Sequence, residues 1–159
     1  MAVDGFLKLD GITGESRDDK HPDEIQVLDV HWNLNQQGSM QYGSGGGTGR
    51  VDFHDISFTK RFDFSSPSLM VQCANGKHIK NGTVTLRKAG EHPLEYLVIK
   101  LEDVVISSMT PSGLGSGDGL EHLTLNFAKI KMTYTSQKQD GTKDKTNEFG
   151  WDVNKNATY

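Results

Sequence analysis

The sequence predicts a mainly β fold, an antiparallel barrel or sandwich carrying one short helix, and three patterns predict it. Apolar residues recur at every second position in one segment after another, the spacing that places them on one face of a strand. Asn-Gly, Asp-Gly and glycine-dense stretches punctuate those segments. Only one segment carries helix signals at both ends. Strands in series with a lone helix suit a barrel or sandwich rather than an alternating α/β fold.

The elements follow in order. Phe6-Leu7-Lys8-Leu9 is short and apolar and reads as the first strand. The run Arg17, Asp18, Asp19, Lys20, His21, Asp23, Glu24 reads as a solvated loop. From Glu24 onward, Leu28, Val30, Trp32 and Leu34 recur at period two, with Asp29, His31 and Asn33 between them. Ile56, Phe58, Phe62 and Phe64 form another such face, opposite Ser57, Thr59, Arg61 and Asp63. Ser65 or Ser66 can cap a helix, Pro67 suits its first position, and Leu69, Met70 and Cys73 follow on one side. Asn75-Gly76 then supplies a left-handed ending. Asn81-Gly82, between His78–Lys80 and the Thr83–Lys88 strand, is the pair that a type I′ hairpin turn demands. Leu94–Ser108 is apolar on both faces, as a central strand covered on two sides would be. Leu123, Leu125 and Phe127 alternate, and the pattern restarts as Ile130, Met132 and Tyr134. A one-residue bulge near Ala128–Lys129 would produce that change of face. Gln137–Glu148 is polar and reads as a hairpin tip or a mobile excursion around Asp140-Gly141.

Composition narrows the function. The 159 residues, 34% hydrophobic with 18 glycines, suffice for one lean core, so residues 1–159 are expected to form a single domain. With 17 basic against 21 acidic residues the net charge is −4. Sequence-independent nucleic-acid binding needs a basic excess, so nucleic acid is not an expected partner. Wholly apolar runs are a few residues long, and a membrane helix needs about 20, so no membrane insertion is expected. Met1–Asp10 lacks the basic start and sustained apolar stretch of a signal peptide. A lone Cys73 excludes an intrachain disulfide and any multi-cysteine metal site.

Catalytic patterns are missing. Tyr42–Arg50 is glycine-dense, but Arg50 precedes Val51 where a phosphate loop needs Lys then Ser or Thr. The alternating Gly113, Gly115, Gly117 and Gly119 miss dinucleotide spacing too. The six histidines share no metal-ligand spacing and read as surface or strand-flank residues. Cys73 beside Met70 and Val71 reads as a buried structural thiol. No enzyme activity, metal or cofactor is expected.

The order of segments carries more. Asp4-Gly5-Phe6-Leu7-Lys8-Leu9-Asp10-Gly11-Ile12-Thr13-Gly14-Glu15-Ser16 resembles the opening of the haemolysin-coregulated protein family of the bacterial type VI secretion system. The resemblance continues through His21, Asp23-Glu24-Ile25, the glycine run ending at Arg50-Val51, and Ile56–Lys60. It then covers Leu69-Met70, Cys73–Lys80, Leu86–Gly90, Glu95-Tyr96-Leu97, Val104–Ser108, Leu125–Lys129 and Phe149–Val153. Val30-His31-Trp32-Asn33 departs from the aromatic-Ser-Trp-Gly run of many members. The resemblance implies a compact antiparallel β-barrel of two sheets, one short helix on its flank, and assembly as a hexameric ring. It implies rings stacked into a tube, a contractile sheath around it, a valine-glycine-repeat spike at its tip, and effectors carried in the lumen. Assembly in the bacterial cytoplasm and export without a signal peptide are implied as well. No toxin domain is expected after the barrel, because the chain ends eight residues past Trp151.

Two loops become candidate contact sites. Gly43, Ser44, Gly45, Gly46, Gly47, Thr48, Gly49 and Arg50 are the expected ring-stacking loop. Ordering its eight residues costs on the order of 10 kcal/mol, which stacking contacts must offset. Arg50 can offer a planar charged donor to a carboxylate of the next ring. In the loop Ser112–Gly119, Ser112 and Ser116 are the expected lumen or effector contacts. Judged without the resemblance, the chain could equally be a stand-alone barrel that binds peptides or sugars.

Overall fold

The computed structural model describes residues 2–38 and 49–159. Its strands are β1 (Val3–Leu9), β2 (Ile25–Val27), β3 (Asp29–His31), β4 (Leu34–Asn35), β5 (Asp52–Phe53), β6 (Ile56–Arg61), β7 (Ile79–Lys88), β8 (Leu94–Ser112), β9 (Leu120–Gln137), β10 (Lys143–Asp152) and β11 (Ala157–Thr158), with helix α1 (Ser65–Asn75) between β6 and β7.

All strand pairs are antiparallel. A nine-stranded sheet runs β11-β10-β9-β8-β7-β1-β2, while β6 pairs with the first half of β9 and with β3. Because β2 and β3 are consecutive, the sheet closes on itself into a barrel. The Leu28 N–H, between them, donates to the Thr59 carbonyl of β6 at 2.7 Å. Closure pairs β1, β2, β3 and β6 into the wall and so removes edges that would otherwise invite aggregation there, leaving β11 at the end of the β10 branch. Leu7, Ile25, Ile56, Val84, Leu123, Leu125 and Ile130 are fully buried inside, with Leu69 of α1 beside them.

The change of face in β9 occurs as the sequence predicts, but by another device. Leu101 pairs with Ile130 and Val104 with Phe127, with no register shift between. Both strands change face together: Ile99 and Leu101 give way to Val104 and Ile106 on β8, as Phe127 gives way to Ile130 on β9. Asp103 makes the corner with a left-handed φ of 54°. The Ala128 carbonyl opposite accepts from the Val153 N–H at 2.8 Å. The corner bends the sheet into two walls that share one core.

Six expectations are corrected. Asn81-Gly82 is no turn; β7 runs straight through it, with Asn81 opposite Glu102 and Gly82 opposite Leu101. Gly82 lies where a Cβ would meet Leu9 Cδ2 at 2.9 Å, so close approach of β1 explains the glycine. The Ile56–Phe58 face continues to Lys60, not to the phenylalanines; Phe64 is 66% exposed. Leu28 and Leu34 are exposed because the chain is broken into β2, β3 and β4, with Ile25 and Val27 facing the core instead. The helix is capped by Asp63, whose Oδ1 accepts from the Ser65 N–H at 2.9 Å, and not by a serine. Its other end matches the reading, with Gly76 left-handed at φ 60°. β8 is central, between β7 and β9, but its second face is half covered, with Val98 and Val105 partly exposed. Cys73 is likewise half-buried, packed on the core.

Candidate assembly surface

The expected stacking loop leaves the barrel between β4 and β5. Leu34 pairs with Phe53 and Asn35 with Asp52, so a two-residue ladder sets where the chain departs and returns. This ladder rests on aromatic rings. Phe53 is 6.0 Å from Trp32 in a stacked pair, 6.1 Å from Trp151, and 6.4 Å from Phe127 and from Phe149. Trp32 Nε1 donates to the His54 carbonyl at 3.0 Å. Large rigid side chains lose little entropy on packing, so they make a firm base for a glycine-rich excursion. Gly43, Ser44, Gly45, Gly46, Gly47 and Thr48 lie outside the described residues. Gly49 and Arg50 are described and exposed. Arg50 Nη2 donates to the Val153 carbonyl at 2.6 Å, tying the returning end of the loop to the segment after β10.

Ser112 ends β8, opposite Leu120, and Ser116 lies in the turn from β8 to β9; both are exposed. Their hydroxyls reach the Leu120 and Gly113 carbonyls at 3.5 Å, bonds too long to hold them firmly. They line a recess of about 340 Å³ together with Arg61 and Asp118. Arg61 and Asp118 also border a cleft of about 510 Å³ lined by Asp4, Glu15 and Leu28. Exposed apolar side chains cluster here: Val3 and Leu28 at the cleft, Leu114 and Leu120 at the turn.

Two polar clusters escaped the sequence reading. Lys60 and Glu121 face each other across β6 and β9 and are both fully buried, with Nζ to Oε1 at 2.7 Å. The ammonium also donates to Ser66 Oγ at 3.0 Å and pairs with the Asp63 carboxylate, Nζ to Oδ1 at 3.0 Å. This network pins the start of α1 to the barrel wall. The only sequence signal was a lysine in phase with Ile56 and Phe58.

The second cluster corrects the reading of 17–24 as a solvated loop. This segment folds over the outer face of β1 and covers Phe6, which is 3% exposed. His21 stacks on the Phe6 ring at 4.4 Å and is itself 8% exposed. The Arg87 guanidinium lies 5.1 Å from the same ring. It grips Asp18 with two bonds, 2.9 and 2.7 Å, and reaches Asp4 at 3.0 Å. The Arg87 bond holds the Asp18 carboxyl down at about 2, against the upward push of burial. The Arg87 pKa is raised in return. Among the described residues no group of three or more His, Cys, Asp and Glu side chains is placed to hold a metal ion.

Comparison with known proteins places this barrel. Residues 6–134, from β1 to near the end of β9, match the family described as "Type VI secretion system effector, Hcp". The chain belongs to the Hcp family. The Protein hcp1 of Pseudomonas aeruginosa PAO1 is 46% identical over 160 residues, spanning 99% of each chain, so the Hcp likeness extends through β10 and β11. The crystal structure of Hcp1 from Salmonella typhimurium superposes with a TM-score of 0.82 at 38% identity and 100% coverage of both chains. A structure titled as a type six secretion system protein gives 0.93 at 26% identity, covering 99% of this chain and 100% of that one. The Hcp fold is therefore the antiparallel barrel described above.

Proposed function

We propose that this chain is a structural subunit of a type VI secretion tube: six copies close into a ring, and rings stack into the tube. The tube sits inside a contractile sheath beneath a valine-glycine-repeat spike, and carries effectors in its lumen. It is assembled in the bacterial cytoplasm and leaves the cell uncleaved. The observation that carries this reading is the full-length identity to an Hcp protein, 46% across 99% of both chains. The geometry supports it at one point. The β4–β5 ladder, from which the glycine-rich stretch departs, is braced by five packed aromatic rings and so gives that stretch a fixed base.

Within this reading Gly43–Arg50 serves stacking, while Ser112 and Ser116 serve the lumen and its cargo. The role is structural and not catalytic. Deleting Gly45-Gly46-Gly47, or making Arg50→Glu, leaves a soluble hexamer by native mass, with tube formation and export lost. A monomer after the deletion assigns the loop to ring closure instead; unimpaired tubes and export remove it from both roles. Replacing Ser116 with Trp lowers effector co-purification with the ring unchanged, and unchanged retention refutes the lumen assignment.

A further inference from the structure

We propose that the 10–24 segment is a pH-sensitive latch over the outer face of β1, closed while His21 carries a proton and loosened when it loses it. Both ring nitrogens face carboxylate oxygens: Nδ1 is 2.8 Å from Glu24 Oε2, and Nε2 is 2.7 Å from Glu95 Oε1. A carboxylate can only accept, and a neutral imidazole has a single N–H. The neutral ring can therefore satisfy one glutamate while turning a lone pair toward the other. The imidazolium satisfies both.

The two partners come from different elements. Glu24 belongs to the end of the segment itself, whereas Glu95 stands on β8, so His21 bridges the segment to the barrel wall. The surrounding charges make the proton matter. Glu24 and Asp18 face the site from the segment, Glu95 from β8, and Arg87 from β7, with Asp4 of β1 held by Arg87. With His21 protonated, four carboxylates meet two cations. Without it, they meet the guanidinium alone.

Burial disfavours the charged ring, but the bonds and charges of Glu95 and Glu24 outweigh it, and the His21 pKa is raised above 6.5. A raised pKa in the folded state gives stability that is complete below the unfolded value and is lost as pH rises through the folded one. The latch therefore holds fully below pH 6.5 and loosens as pH rises through the raised His21 pKa. The segment is stitched to itself by bonds from the Gly14, Ser16 and Asp23 N–H groups to the Asp23, Glu24 and Ser16 carbonyls, and loosening its hold on the wall opens these bonds to solvent and uncovers Phe6. The same segment contacts the entry to α1, where Glu15 Oε1 accepts from the Phe64 N–H at 3.0 Å.

The test uses hydrogen exchange read by mass spectrometry on the assembled full-length protein between pH 5.5 and 8.5. Exchange at the imidazole C2 position reports the His21 midpoint, expected above 6.5. Peptides covering 10–24, corrected for the intrinsic rate, should lose protection as pH rises, by about tenfold for each unit that midpoint exceeds 6.5. Peptides from β8 and β9 should not. In Glu95→Gln the side-chain amide can donate to the neutral ring, so the midpoint falls and the pH dependence of the segment disappears. A His21 midpoint at or below 6.5, a wild-type segment whose protection is flat with pH, or a Glu95→Gln variant that keeps the wild-type pH profile each overturns the latch.

Discussion

Lys60 places an ammonium where the alternation of β6 leads one to expect an apolar side chain. Its burial is tolerated because it donates to Glu121 and Ser66 and lies against the carboxylates of both Glu121 and Asp63. The pair's net worth to stability is small, since attraction between buried charges is set against the loss of their hydration. Breaking it is another matter. Lys60→Met leaves the Glu121 carboxylate buried without a counter-charge and should cost about 3–5 kcal/mol. The double variant Lys60→Met/Glu121→Leu should recover most of that loss. Urea unfolding at fixed protein concentration checks both, and a double variant as unstable as the single would show that the pair positions α1 rather than balancing charge. At this scale the sequence conceals much: Lys60 and Glu121 are 61 residues apart, and only the β6–β9 register brings them together. His21 and Glu95 are hidden in the same way, 74 residues apart.

At the scale of elements, the corner of β8 and β9 controls the barrel's shape. The shift of apolar phase is written plainly in Leu123, Leu125, Phe127 and then Ile130, which is why the sequence shows that a break exists. What makes the break is on the neighbouring strand, at Asp103. A left-handed backbone costs a β-branched residue roughly 1–2 kcal/mol more than it costs glycine. Asp103→Val should therefore destabilise the barrel by about that amount, and Asp103→Gly should be close to neutral, since the His78 ion pair it loses is exposed. Thermal unfolding of the two variants side by side tests this; equal losses would place the cost in the His78 contact. The same lesson applies to Asn81-Gly82. Locally the pair reads as a turn, but seven residues of β1 lie along β7 and hold it extended. Tertiary pairing overrode local propensity.

At the scale of the whole molecule, charge opposes the ring stacking proposed above. Each chain carries −4, so every added ring meets repulsion from the last. The screening length falls from about 30 Å at 0.01 M salt to about 8 Å at 0.15 M. Tube growth, followed by light scattering, should therefore increase over that range. Growth that declines with salt would mean ion pairs such as one made by Arg50 dominate the contact. Arg50 already spends one donor on Val153 within its own chain, and its guanidinium has others to offer.

The sequence by itself determined the strand-rich class, the place and C-terminal cap of the helix, the phase break in β9, the polar hairpin at Asp140-Gly141 and the family. These are local or ordered along the chain: alternation, turn chemistry and the succession of short segments need no knowledge of what lies opposite. Only the tertiary structure decided which lysine is buried, that a histidine bridges two glutamates over Phe6, that Asn81-Gly82 lies inside a strand, and that aromatic rings from β5, β9 and β10 form one base at the β4–β5 ladder. Each of these depends on register between strands far apart in the chain, and register is fixed by closing the barrel over its core, not by any segment's own preference.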